Sequence, residues 1–150
     1  MGASVPQSVL DSFVREKSVW VVNQIDFFKN LGFRPLPVSS REDYLRHRDR
    51  TRALAEERLC FYNNLYGFSY NKLYIRNQKT CWGSCTAKKN ISLNYRILFL
   101  PERLRDYIIV HELCHLKELN HSDRFWSLVS RAFPDYRALR NELREYDLYN

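Results

Sequence analysis

His111-Glu112-Leu113-Cys114-His115, with His121 six residues further on, lies in a mostly apolar run from Pro101 to Leu119, and its reading decides the fold. Three of the four histidines fall in this window; the fourth is His47. Two helical residues four apart sit about 40° apart around the axis and about 6 Å apart along it. Both imidazoles can then reach one ion at a Zn–N distance of about 2.0–2.1 Å. Glu112 is too close in sequence to His111 to serve as an equivalent ligand. It is placed to hold a water on that ion, which lowers the water's pKa while the Glu takes the proton.

A His-Glu-x-x-His pentapeptide also occurs by chance on exposed helices. Here Leu104, Tyr107, Ile108, Ile109, Val110, Leu113, Cys114, Leu116 and Leu119 cover nearly every side of the helix. Such a helix is buried, and two imidazoles and a carboxylate inside it are costly without a partner. One Zn2+ ion is the simplest partner. His121 is the expected third ligand: Leu119-Asn120 ends the helix, with Asn taking the left-handed conformation that turns His121 back. Glu118, Glu142 and Glu145 are the competing carboxylates. The histidine spacing equals that of metzincin proteases, yet Glu118 stands where they have glycine and the sole methionine is Met1, so their Met-turn is absent.

Moving outward, 150 residues with 45% hydrophobic and 15% aromatic content form one globular domain with an adequate core. Its expected parts are an N-terminal helical portion over 1–67, a small sheet over 70–100, and the metal and C-terminal helices over 101–146. No apolar run has the length of a membrane span, and no signal peptide is recognisable. Pro6 occupies the position where a myristoylation signal needs Ser or Thr. The expected location is therefore cytoplasmic, with reduced cysteines. Cys81 and Cys85 on one strand would lie about 13 Å apart, beyond the roughly 7 Å limit of a bridge, unless Gly83 bends the chain. Cys60 and Cys114 read as core residues on helices. The net charge of +7 suits an acidic partner such as nucleic acid. However, the densest basic run, Arg41 to Arg58, is interleaved with Glu42, Asp43, Asp49, Glu56 and Glu57, the pattern of a solvated helix face.

Leu10, Phe13, Val14, Trp20, Val21, Ile25, Phe27, Phe28 and Leu31 recur at helical spacing, with a break near Ser18 and a stop at Gly32. Residues 34–37 form an extended connector. Ser39 and Glu42 form a capping box for a helix from about Arg41 to Tyr66, ended by Gly67. Tyr44, Leu45, Thr51, Leu54, Ala55, Leu59, Tyr62 and Leu65 are its core-facing residues. From Tyr70 the period becomes two, giving three short strands in an antiparallel meander, the third placing Ile91, Leu93, Tyr95, Ile97 and Phe99 on one side. Pro101 opens the metal helix, Ser122 or Asp123 caps a helix through Ala132, and Pro134 starts the last one. The fold class is α+β, with a small sheet against the metal helix and flanking helices.

Arg76-Asn77-Gln78-Lys79-Thr80, Trp82-Gly83-Ser84-Cys85, Asn90-Ile91-Ser92-Leu93-Asn94, the window from His111 to Trp126, and Pro134-Asp135-Tyr136 together resemble the YgjP-like metallopeptidases, relatives of the SprT-like zinc proteases. The resemblance is close over roughly 70–146 and loose before it. It implies a zincin-like fold, a zinc-dependent peptidase, His111, His115 and His121 as ligands, and Glu112 as general base. Cys81 stands where the family usually has Arg, so a role of that Arg is lost here. The family's frequent β-rich N-terminal segment is not recognisable either, which fits a short member or a trimmed chain. Trp82 and Gly83 read as a kinked, packed strand slightly better than as a site wall. Tyr95, Arg96 and backbone amides of the third strand are the candidates for oxyanion or substrate contact. The expected partner is a peptide or protein substrate. The rival reading is a nucleic-acid-associated module, or a DNA-dependent protease, in which zinc is partly structural.

Overall fold

The computed structural model describes residue 36 and residues 39–146. Chain contacts divide the molecule between Pro37 and Val38, and the architecture below is that of the second unit. The expected helical pattern before Gly32 and the connector that follows it lie outside the described residues, Leu36 excepted. The elements are α1 (Arg41–Tyr66), β1 (Lys72–Arg76), β2 (Gly83–Cys85), β3 (Asn90–Asn94), a 3-10 turn (Tyr95–Phe99), α2 (Glu102–His115), α3 (Asp123–Ala132) and α4 (Tyr136–Leu143). This is an α+β unit. Among the described residues, no helix is long and apolar enough to cross a membrane.

α1 has the expected bounds, but its cap is Ser40, whose side chain accepts from the Asp43 amide at 3.0 Å. Ser39 instead donates its hydroxyl to the Asn77 side chain. Gly67 ends the helix in the left-handed conformation, at φ 69°, that glycine adopts without steric cost. Thr51, Ala55 and Leu59 form the buried seam of α1. Leu45, Leu65 and Cys60 are exposed, so the expected core stripe is narrower and Cys60 is not core.

The sheet corrects the expected meander. Its order is β1-β3-β2, with β3 parallel to β1 and antiparallel to β2. Ile91 and Leu93 are fully buried, whereas Gly83, Ser84 and Cys85 are only partly so. The most apolar strand thus takes the centre, and β2, with no large side chain to bury, takes a rim. A hairpin joins β2 to β3 through Lys89, at φ 62°, closed by the Lys89 amide on the Thr86 carbonyl. The opposite rim is occupied. The Tyr44 hydroxyl donates to the Ile75 carbonyl at 2.8 Å, and the Arg52 guanidinium donates to the Leu73 carbonyl at 2.9 Å.

The third strand is shorter than its alternating pattern indicates. At Asn94 the side-chain oxygen accepts from the Arg96 amide at 3.0 Å and starts the 3-10 turn. A short amide side chain competes in this way with continued strand pairing. Asn94 Nδ2 also donates to the carbonyls of Gln78 and Cys81, tying down the loop that delivers Trp82 and Gly83.

α2 crosses the centre of the unit. Leu104, Tyr107, Ile108, Ile109, Val110, Leu113 and Cys114 are all buried, as an apolar circumference requires. The helix stops at His115, earlier than the expected Leu119, which is exposed. The amides of Leu116, Lys117 and Glu118 close the turn on the carbonyls of Leu113 and Cys114. Asn120 is not left-handed: among the described residues only Lys89 and Gly67 have positive φ. Ser122 then caps α3 by accepting from the Phe125 amide.

Candidate metal centre

The turn after α2 brings His121 back to the face that carries His111 and His115. The three Nε2 atoms are separated by 3.2, 3.2 and 3.1 Å. A tetrahedral ion with bonds of about 2.0–2.1 Å needs ligand atoms about 3.3 Å apart. Three ring nitrogens at this spacing fit that demand and gain little from one another. Among the described residues, this is the one group of three or more His, Cys, Asp or Glu side chains able to share an ion. Glu118, Glu142 and Glu145 do not join it.

The surroundings fix the rings. His115 Nδ1 faces the Glu118 carbonyl at 2.9 Å, which assigns the proton to Nδ1 and leaves Nε2 as the electron-pair donor. The His115 ring stacks on Phe125 at 4.4 Å, and Phe125 meets His111 and His121 edge-on. His121 stacks on Trp126, and Trp126 on Tyr136 at 4.8 Å. Burial, then the neighbouring His115 and His121 and the more distant Arg140, lower the His111 pKa to about 3. Burial also lowers that of His115. Neutral imidazole, the ligating form, is therefore favoured.

Glu112 is 5% exposed, and its Oε2 has no hydrogen-bond partner. Burial raises its carboxyl to about 8. A carboxylate left without a donor beside three electron-pair donors lacks a cation in its environment, and a divalent ion would supply one. β2 presses directly on this side chain. A Cβ on Gly83 would lie 2.9 Å from both Cγ and Oε1 of Glu112. Glycine is thus required here for close approach, and the kinked-strand reading gives way to that of a site wall.

A cavity of about 200 Å3 opens beside these groups. Trp82, Gly83, Tyr107, Ile108 and Leu143 line it together with His111, Glu112 and Arg140. Tyr95 and Arg96 are not among its lining residues. Both are fully buried on the 3-10 turn, where the Tyr95 hydroxyl donates to Asp43 at 3.0 Å. Tyr107 and Arg140 escaped the sequence reading. Tyr107 had a findable signal, lying one helical turn before His111. Arg140 had none, since only the packing of α4 brings it to the cavity.

The sequence profile of the YgjP-like, metallopeptidase domain matches residues 39–146. The chain belongs to this family. The metallopeptidase zymogen abylysin of Pyrococcus abyssi is similar in structure, with 28% identity and a TM-score of 0.55 over 59% of this chain and 90% of that one. The metallopeptidase zymogen jannalysin of Methanocaldococcus jannaschii shares 28% identity over 63% of this chain and 91% of that one, with a TM-score of 0.48. No curated protein matches. The family membership and the fold of the unit agree with a zincin-like metallopeptidase.

Proposed function

We propose that this YgjP-like chain is a zinc-dependent peptidase in which His111, His115 and His121 hold one ion and Glu112 moves the proton. The observation that carries the reading is the triad of Nε2 atoms 3.1–3.2 Å apart beside a buried carboxylate with an unpartnered oxygen. When bound, zinc supplies Lewis-acid polarisation and a lowered pKa for water. Structural zinc sites normally use four protein ligands. Three groups gather here among the described residues, which favours a catalytic site over a staple.

The chain's own residues supply the rest. His115 is held in one tautomer by the Glu118 carbonyl. Phe125 and Trp126 keep the imidazole rings in place. Glu112 Oε2 takes a proton from the attacking water and returns it to the leaving nitrogen. An extended peptide would pair with the rim at β2, since the β1 rim is occupied by Tyr44 and Arg52.

The test is metal analysis of the purified protein beside His121→Ala, with cleavage of casein and of a mixed peptide pool. The wild-type protein should hold about one equivalent of zinc, and His121→Ala should hold far less. Glu112→Gln should retain the metal and lose turnover. Undiminished cleavage by Glu112→Gln would overturn the assignment.

A further inference from the structure

The cavity beside His111 and Glu112 carries one cation, Arg140, which the proton chemistry does not use. Its guanidinium lies over the Trp126 ring at 5.1 Å. Trp126 also stacks with Tyr136 and with His121, so Arg140, an exposed side chain that also borders a second cavity with Asp123, shares an aromatic neighbour with the histidine cluster. Its charge bears on both Tyr107 and His111. Arg58 and Arg103 have carboxylate partners in Asp106 and Asp135, but no acidic group among the described residues pairs with Arg140. Stacking on a ring face leaves the edge N–H groups of a guanidinium available, in the planar fork that matches a carboxylate.

The rest of the cavity has the same polarity. The Tyr107 hydroxyl makes no hydrogen bond to a described residue, and burial raises its pKa to about 12, which keeps the proton on oxygen. Trp82, Ile108 and Leu143 offer apolar surface. Apart from Glu112 and the triad nitrogen of His111, the side chains around the cavity thus present donors and no fixed acceptor. A volume of about 200 Å3 suits one side chain or a chain end rather than a longer segment.

We infer that Arg140 makes this cavity a carboxylate subsite, selecting peptides with an acidic group next to the scissile bond. The carboxylate comes from an Asp or Glu side chain or from the C-terminus of the substrate. The inference rests on the peptidase reading for its meaning, but its test does not depend on turnover.

Fluorescein-labelled peptides would be titrated by anisotropy against zinc-loaded Glu112→Gln protein. The peptides come as twins, Glu against Gln at each position flanking the bond, and free C-terminus against amide. The acidic member of one twin should bind about 10- to 100-fold tighter, as expected for a charge-assisted contact. Adding Arg140→Ala should erase that preference, and Arg140→Lys should keep part of it. A preference confined to the Glu/Gln twins assigns a side chain; one confined to the terminal twins assigns the chain end. Equal binding of all twins would overturn the subsite, as would a preference that survives Arg140→Ala. On wild-type protein, Arg140→Ala should reduce kcat/KM for the acidic member alone; an equal loss on every peptide would make Arg140 a general oxyanion contact instead. If zinc-loaded wild type cleaves nothing, the peptidase reading fails, while the anisotropy result still decides the role of Arg140.

Discussion

Asp106 and Glu112 are both buried carboxylates on α2, less than two helical turns apart, yet their surroundings are opposite. Asp106 accepts from Arg58 at 3.1 and 2.7 Å and from the Tyr62 hydroxyl at 3.1 Å. Its charge is compensated within the protein, and it fastens α2 to α1. Glu112 has three imidazoles and a glycine strand beside it, and one oxygen with no partner at all. The first carboxylate is spent on holding the fold. The second is held ready for something the protein does not itself contain. On one helix, the completeness of the hydrogen bonding separates a structural acid from the one proposed to do chemistry.

The sharpest way to break the comparison is to alter each acid in turn. Glu112→Gln should lower kcat roughly 10²- to 10⁴-fold, the range of a lost general base, with the melting temperature unchanged or raised. Asp106→Ala should do the reverse. It leaves a largely buried guanidinium unpaired and should cost about 3 kcal/mol in urea unfolding, with zinc content intact in the folded fraction. If Asp106→Ala instead lowers kcat without a loss of stability, the division between the two acids is wrong.

Gly83→Ala sharpens the comparison from the strand side. The added methyl meets the flexible end of Glu112, so the carboxylate gives way rather than the backbone. Turnover should fall roughly 10- to 100-fold, as a displacement of about 1 Å at a reacting group does, with little change in zinc content. Taken per pH unit, the smallest effect is in pH dependence. The Glu112 pKa is raised in the folded protein, so the metal-free wild type is relatively most stable below about 4.5 and loses that stability as pH rises towards about 8. The depressed His111 acts in the opposite sense, between about 6.5 and about 3, and is common to both proteins. The melting-temperature difference, Glu112→Gln minus wild type without metal, should therefore widen from pH 5 to pH 8. The slope is bounded at about 1.4 kcal/mol per pH unit. A flat difference would mean that Glu112 finds a donor in solution.

Much of the site was legible because it depends on local spacing. His111 and His115 share a face by helical period alone, and His121 is close enough in sequence for one turn to return it. The route of that return was not legible: a left-handed Asn120 was expected, whereas an early stop at His115 and a closed turn through Glu118 do the work. The sheet order depends on long-range competition. Alternation identified Ile91 and Leu93 as apolar strand positions, but their claim on the centre emerges only when the poverty of Gly83-Ser84-Cys85 is weighed against them. Tyr95 and Ile97 continued the alternation on paper, and the Asn94 side chain ended it in the fold. Arg140 and Asp106 were invisible for the same reason, since their partners are supplied by other elements.

The side chains of Tyr44 and Arg52 on the β1 carbonyls also bear on how copies of this protein meet. An exposed strand margin is a template on which a second molecule can extend a sheet. That margin is stoppered here, and β2 offers a template of only three residues. Propagation from copy to copy along the sheet is therefore blocked at one end and weakly nucleated at the other. A peptide paired along β2, as proposed, would also shield it, so a protein supplied with substrate should remain in solution longer than one kept without it.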